Sequence, residues 1–323
     1  MVVDLWVWAA FGVFIAATLV VDLIAFGRRG EEVPFRRAIA WSVGWTALGL
    51  AFAVVLWAWQ GSKPAEEYLA GFLIEKSLSI DNLFVFALIF SYFAVPAAYQ
   101  RRVIFWGIVG AIVLRGVFIA AGAALLDAFH ATIYVFGAFL IITGFRMARH
   151  SEVEIHPDRN PVLRLLARVL PMTTEYHRDR LTVREGGRRL ATPMLAALAM
   201  VATFDVVFAV DSIPAIFAVT RDVFIVYAAN AFSLLGLSAL YFVLAGMMGR
   251  FRYLNVGLAV VLVFVGLKMV ASDLYHVPVY VSLAVIVVTL VIAVAASLRR
   301  PPQEPLEETK PPGAPHPPIP QGR

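Results

Sequence analysis

Long apolar runs joined by short polar connections make up most of the chain. Nine runs are long enough to cross a bilayer as helices: roughly 5–27, 38–60, 68–94, 103–126, 130–148, 194–219, 223–248, 254–271 and 279–298. The first exceeds the core of a signal peptide, and no small-residue cleavage pattern follows it, so it is expected to remain as a helix. The pattern therefore predicts an all-α polytopic membrane protein with nine transmembrane helices.

The polar stretches are few. Residues 149–193 form the one sizeable soluble loop. Within it, 161–171 read as a short amphipathic helix, with Arg164 and Arg168 one turn apart, lying along the inner membrane surface. Residues 181–190 read as a small hairpin turning at Gly186-Gly187. The last stretch, 301–323, holds nine prolines and reads as a disordered cytosolic tail.

Composition agrees with this pattern. The chain of 323 residues is 61% hydrophobic and 15% charged, with a mean hydropathy of +0.80, unlike a soluble domain. A formal charge of +5 could suit nucleic acid, but the placement of the basic residues excludes that reading. Of the 27 lysines and arginines, 22 fall on one alternating set of loops and 2 on the other; Lys76, Arg115 and Lys268 lie inside apolar segments. The positive-inside rule then places the N-terminus outside and the C-terminus inside, in a multi-pass protein of the inner (cytoplasmic) membrane. The basic residues are topology signals. Trp6, Trp8, Trp57, Trp59, Tyr275 and Tyr280 cluster at segment ends, as an interfacial aromatic belt does. The chain has no cysteine, which removes disulfides and thiolate metal sites.

The candidate chemistry lies where carboxylates interrupt apolar runs. Asp205 and Asp211 sit in one such run, followed by Ser212 and Pro214. A carboxylate at that depth costs about 2.5–3.5 kcal/mol on insertion scales, so it marks a functional site by default. Pro214 cannot donate to the carbonyl four residues back, that of Val210, and so leaves an oxygen free beside Asp211. The motif has a partner in the third segment, where Glu75 and Asp81 share the six-residue spacing and Asn82 stands where Ser212 does. Ser79 adds a hydroxyl. On the charge-derived topology the two motifs run in opposite directions. Segments 3–5 and 6–8 thus read as one three-helix unit used twice, inverted, which is a transporter signature. The expected organisation is two N-terminal helices (1–67), a first repeat (68–148), the cytosolic loop (149–193), a second repeat (194–272), a last helix (273–300) and the tail (301–323).

Carboxylates, hydroxyls, an amide and a released carbonyl form an all-oxygen set suited to a hard cation. None of the six histidines lies well inside a segment, which disfavours Zn²⁺ or Cu⁺. Positions six apart fall about 120° apart around a helix, so Asp205 and Asp211 cannot face one small ion from a straight helix. Either the helix breaks near 210–214, or the outer acids line the access path, leaving Asp81 and Asp211 as the central pair flanked by Glu75 and Asp205. Arg115 reads as a charge partner for an acid when no ion is bound.

Blander readings stand beside these. Asp81 and Asp211 could form structural ion pairs with Arg115 and Lys268, although buried pairs are seldom a net gain in stability. Lys268, near the end of its segment, reads as a snorkelling side chain. Asp22 reads as a hydrated interfacial carboxylate, and Asn230 and Asn255 as links between helices. His150, Glu152, Glu154, His156 and Asp158 read as a solvated loop rather than a metal sensor.

Residues 71–84, Gly-Phe-Leu-Ile-Glu-Lys-Ser-Leu-Ser-Ile-Asp-Asn-Leu-Phe, and 208–217, Phe-Ala-Val-Asp-Ser-Ile-Pro-Ala-Ile-Phe, resemble the acidic motifs of the TerC family of integral membrane proteins, within the lysine-exporter-like superfamily. Lesser matches are Asp22-Leu23, Gly186-Gly187-Arg188-Arg189, Asn230 and Gly266-Leu267-Lys268-Met269. The resemblance implies a divalent-cation transporter, most often for manganese export, with older links to tellurite resistance. It implies metal ligands at Asp81, Asp205 and Asp211, and also at Glu75 and Asn82. The chain departs from the family at Ala202, where many members have a glutamate, and at Ser238, where many have an arginine. The expectation is a transporter and not an enzyme, carrying Mn²⁺ as cargo with no permanently bound cofactor, in the lipid bilayer and without nucleic acid contacts; a homo-oligomer or a complex with other membrane proteins fits as well. The alternative is a membrane partner protein that assists assembly or metallation of other proteins, or confers metal-stress resistance without transport.

Overall fold

A computed structural model describes residues 3–25, 34–149, 160–173, 175–177, 180–185, 188–245, 253–275 and 277–299. The 149–193 loop's acidic and histidine-bearing stretch, the Gly186-Gly187 turn and the 301–323 tail lie outside the described residues.

The apolar runs fold as helices. They are α1 (Leu5–Ala25), α2 (Phe35–Gln60), α3 (Ser62–Tyr92), α4 (Ala97–Ala128), α5 (Thr132–Arg149), α6 (Pro161–Val169), α7 (Pro193–Phe217), α8 (Val223–Leu234), α9 (Leu237–Ala245), α10 (Leu254–Val270) and α11 (Val279–Arg299). Strands β1 (Thr182–Glu185) and β2 (Arg188–Ala191) pair antiparallel as the expected hairpin. Among the described residues six helices are long and apolar enough to span a membrane, or seven when α8 and α9 are taken as one bent span. Two of the nine expected segments fall short of that standard for identifiable reasons. Every 18-residue window of α3 carries at least three charged residues, and α10 has 17 residues.

Local chemistry sets several helix ends. Asn160 caps α6, its side chain accepting from the backbone N–H of Val162 (2.9 Å) and Leu163 (3.1 Å), with Pro161 in the first turn, where its missing donor is harmless. Asp222 does the same for α8 through Phe224 and Ile225. The chain after α6 is tied to the α3–α4 connection by Tyr176, whose hydroxyl donates to the Phe93 carbonyl at 2.5 Å; burial pushes this phenol up to about 12, so it remains a donor.

The run read as one helix over 223–248 is broken. At Leu235 and Gly236 the chain bends by 44°, with Gly236 at φ +73°, a left-handed conformation that glycine adopts without steric cost. A Cβ there would also lie 2.6 Å from the Trp45 side chain. Of the two alternatives for 210–214, the helix does not break there: α7 continues through Pro214 to Phe217.

Helix directions follow from contacts. Gly71 of α3 faces Ile216 of α7, and Glu67 of α3 accepts a hydrogen bond from Thr220 just beyond α7, so α3 and α7 run antiparallel. Gly137 and Gly144 of α5 face Gly266 and Ala259 of α10 in reverse order, so this pair is antiparallel too. These small residues recur at seven-residue spacing and let the two backbones touch, as membrane helices without a hydrophobic drive between them commonly do. By contrast α4 runs parallel to α7, with Gly107 on Val201 and Gly122 on Phe217, and α3 runs parallel to α8, with Gly71 on Ala229 and Lys76 beside Ser233.

Candidate functional site

Four helices meet at one guanidinium. Arg115 of α4 is 1% exposed. It pairs with Glu75 of α3, donates to Asn230 Oδ1 of α8 at 2.6 Å, and lies 3.4 Å from Asp205 Oδ1 of α7. Glu75, Asp205 and Asn230 are all buried. The cluster therefore joins one acid from each acidic motif across a single cation, and with both acids ionised it carries one net negative charge. Taking such charges out of water costs several kcal/mol per ion, so packing alone is a poor reason for the arrangement.

The same two acidic helices carry further buried oxygens. Asp205 Oδ2, Ser79 Oγ and Ser212 Oγ are buried without a hydrogen-bond partner among the described residues. Helical geometry explains which groups share a face. Ser79 follows Glu75 by four residues and Asn82 by seven, both close to the Glu75 face; Ser212 follows Asp205 by seven in the same way. Asn82 and Ser212 are buried as well. Each motif thus directs an acid and a small polar side chain to the protein interior.

Asp211 lies on another face of α7. It is half-buried and accepts a long hydrogen bond, 3.4 Å, from Thr143 of α5, one turn before Arg146. Asp205 is the α7 acid that meets Arg115, and Asp211, six residues on, lies on another face because α7 is continuous between them. Ion pairing of Asp211 with Arg115 is not found; Arg115 is engaged by Glu75 and Asp205. Asp81 is on the α3 backbone six residues after Glu75, and its side chain lies outside the described residues. Among the described residues no three His, Asp or Glu side chains converge on one point; two carboxylates do, across the guanidinium.

Several further residues have defined partners. Asp22 is 4% exposed rather than hydrated, accepting from Trp45 Nε1 and from Ser238 Oγ, both at 2.9 Å. Ser238, one of the two positions where the chain departs from the family pattern, is thus the partner of a buried acid. Lys76 Nζ donates to the carbonyls of Ser233 and Leu235 at the α8–α9 break. Asn230 links helices as expected, through Arg115. Trp8 packs on Phe224 and Tyr227 instead of joining the belt, whereas Trp6, Trp57, Trp59, Tyr275 and Tyr280 are exposed at helix ends.

A cavity of about 620 Å³ opens at one end of the molecule, lined among others by Lys63, Glu67, Thr220, Arg221 and Lys268. The Thr220 hydroxyl holds Glu67 at 2.6 Å. Glu67, Gly71 and Glu75 follow one another at four-residue steps, so one stripe of α3 runs from this cavity to the cluster, a path of about 12 Å at 1.5 Å per residue. Lys268 lines the cavity and touches neither acid of the cluster.

Long apolar helices enclosing a charged, oxygen-rich centre define a multi-pass integral membrane protein with a polar interior site. The family model described as "Integral membrane protein TerC family" matches residues 60–304, and the chain belongs to that family. It is 47% identical over 291 residues to "Uncharacterized membrane protein STKORF319" of Myxococcus xanthus, covering 90% of this chain and 91% of the relative. It is 46% identical over 294 residues to "Putative membrane-bound redox modulator Alx" of Escherichia coli (strain K12), covering 88% and 92%. A Rickettsia felis "Uncharacterized membrane protein" is 36% identical over 293 residues, covering 91% and 97%. No solved structure matches the chain.

Proposed function

We propose that the protein is a transporter that exports a hard divalent cation, Mn²⁺ being the expected ion, by alternating access through the Glu75–Arg115–Asp205 cluster. The observation that carries the reading is the pairing of one buried acid from each motif across Arg115, with three buried oxygens on the same two helices left unpartnered. A guanidinium is a surrogate for the missing cargo: it satisfies both carboxylates when the site is empty and must yield when a doubly charged ion enters. Asp205 Oδ2, Ser79, Ser212 and Asn82 are then the additional oxygen ligands, and Asp81 and Asp211 flank the path. Such ligands favour Mn²⁺, Mg²⁺ or Ca²⁺ over softer ions.

The packing supports an inverted repeat of α3–α5 and α7–α10. Exchanging the two units maps the parallel α4/α7 contact onto α8/α3, and maps the antiparallel pairs α3/α7 and α5/α10 onto themselves. A site at the interface of inverted units, next to a broken helix, is what alternating access by rocking requires. With the basic loops inside, the 620 Å³ cavity is the outer vestibule, and the membrane is the bacterial inner membrane.

The redox role in the name of the relatives reaches this chain only indirectly, since it has no cysteine for thiol exchange. Export of a redox-active metal ion would connect the two. The competing reading, a membrane partner that assists assembly or metallation without transport, predicts that the acids serve folding alone. Cells made sensitive to manganese decide between them. Expression of the wild type restores growth, and Asp205→Asn and Glu75→Gln, inserted at normal levels, do not. Growth restored equally by both variants would leave the cluster without a transport role.

A further inference from the structure

The break between α8 and α9 leaves carbonyl oxygens without their usual helical donors, at the end of α8 where the helix dipole is negative. Two of these oxygens, from Ser233 and Leu235, converge on one point, and the point is occupied by Lys76 Nζ at 3.1 and 3.2 Å. Lys76 is partly buried between α3 and the break. Its acceptors are both neutral; no carboxylate among the described residues pairs with it. A partly buried ammonium is costly unless it is hydrogen-bonded, and the carbonyl pair offsets that cost.

The two repeats supply an internal comparison. With Glu75 laid over Asp205, Lys76 falls on Val206. The unit that would be served by Val206 contains α4, which runs unbroken over Ala97–Ala128. The lysine is present where its partner helix is broken, and absent where it is not.

We propose that the carbonyls of Ser233 and Leu235 form a monovalent-cation site at the α8–α9 break, and that the chain fills it with its own Lys76 ammonium. Broken helices in membranes commonly use released carbonyls and the negative end of a half-helix to hold a small alkali cation. Here a tethered cation takes that place. The break is therefore closed without Na⁺ or K⁺, and, on the transport reading above, movement of the divalent ion needs neither as a resident ligand at this point.

The test needs no transport assay and no divalent metal, so it can fail while the transport reading stands. The purified chain in detergent is unfolded thermally in NaCl, KCl and choline chloride at equal concentration. Wild type unfolds at the same temperature in all three. Lys76→Ala, which empties the site, unfolds earlier than wild type in choline and is shifted back upward by Na⁺ or K⁺; recovery of folded Lys76→Ala only from Na⁺ or K⁺ buffers is the same result. Lys76→Gln keeps N–H donors but no charge and is one atom shorter, so it guards against loss of folding and shows the same cation-dependent shift. Variants that unfold at one temperature in all three salts, or a wild-type shift as large as theirs, overturn the proposal.

Discussion

Arg115 is the residue on which the interior depends. Removing its charge strands Glu75 and Asp205, both buried, and breaking a buried ion pair from one side costs about 3–5 kcal/mol. Arg115→Ala is therefore expected to lower the yield of folded protein sharply. Replacing the whole group with apolar residues of similar volume, as in Glu75→Leu/Arg115→Met/Asp205→Leu, is expected to recover folding, since no unpaired charge remains. It should recover no ion movement, because the oxygens are gone. Chromatography of detergent-extracted protein reads the first expectation, and flux reads the second. A triple variant that folds and still transports would assign the cluster to structure alone. At this scale the acids, Asn82 and Ser212 were legible in the sequence, because charged and polar groups in apolar runs announce themselves. Which acid of α7 meets Arg115 was not. That depends on α7 remaining continuous through Pro214, and on Arg115 arriving from a helix distant in sequence. Asp22 was misjudged for a related reason: its partners Trp45 and Ser238 come from two other helices.

Among the elements, close approach of helices matters more than their individual apolar character. Gly137 and Gly266 face each other on α5 and α10, where a Cβ on Gly266 would lie 2.7 Å from the Gly137 carbonyl oxygen. Backbone cannot give way as a flexible side chain can, so Gly266→Ala must push the helices apart. A cost of about 1–3 kcal/mol, in the range of overpacked cores, is expected. Gly110→Ala on α4 is the control, since nothing lies within 4 Å of a Cβ there. It should be neutral or stabilising by up to about 1 kcal/mol through helix propensity. Thermal unfolding of the two variants beside wild type measures the contrast, and equal midpoints would refute the packing argument. The existence of nearly every helix was readable from length and apolarity. The bend at Gly236 was not, because a lone glycine in an apolar run is usually tolerated inside a helix; its φ of +73° is set by the fold around Trp45.

For the whole molecule, the basic loops predict which side each end of the helices faces. The absence of cysteine makes this directly measurable, since any cysteine introduced is unique. A cysteine at Lys63, beside the 620 Å³ cavity, should react with an impermeant thiol reagent in intact cells. A cysteine at Arg164, on α6, should react only after the membrane is opened. The reverse pattern would invert the topology and turn the proposed exit into an entrance. The centre of the account is that a divalent ion crosses this protein by way of Glu75 and Asp205. Its most direct test is uptake of radioactive Mn²⁺ by sealed vesicles containing only this chain, with Ca²⁺, Mg²⁺ and Zn²⁺ as competitors and Glu75→Gln/Asp205→Asn beside the wild type. The account predicts Mn²⁺ accumulation by the wild type, weak competition from Zn²⁺, and loss of at least tenfold in the double variant, the equivalent of about 1.4 kcal/mol or more. Folded wild type that moves no Mn²⁺, or a double variant that moves it as fast, would contradict it.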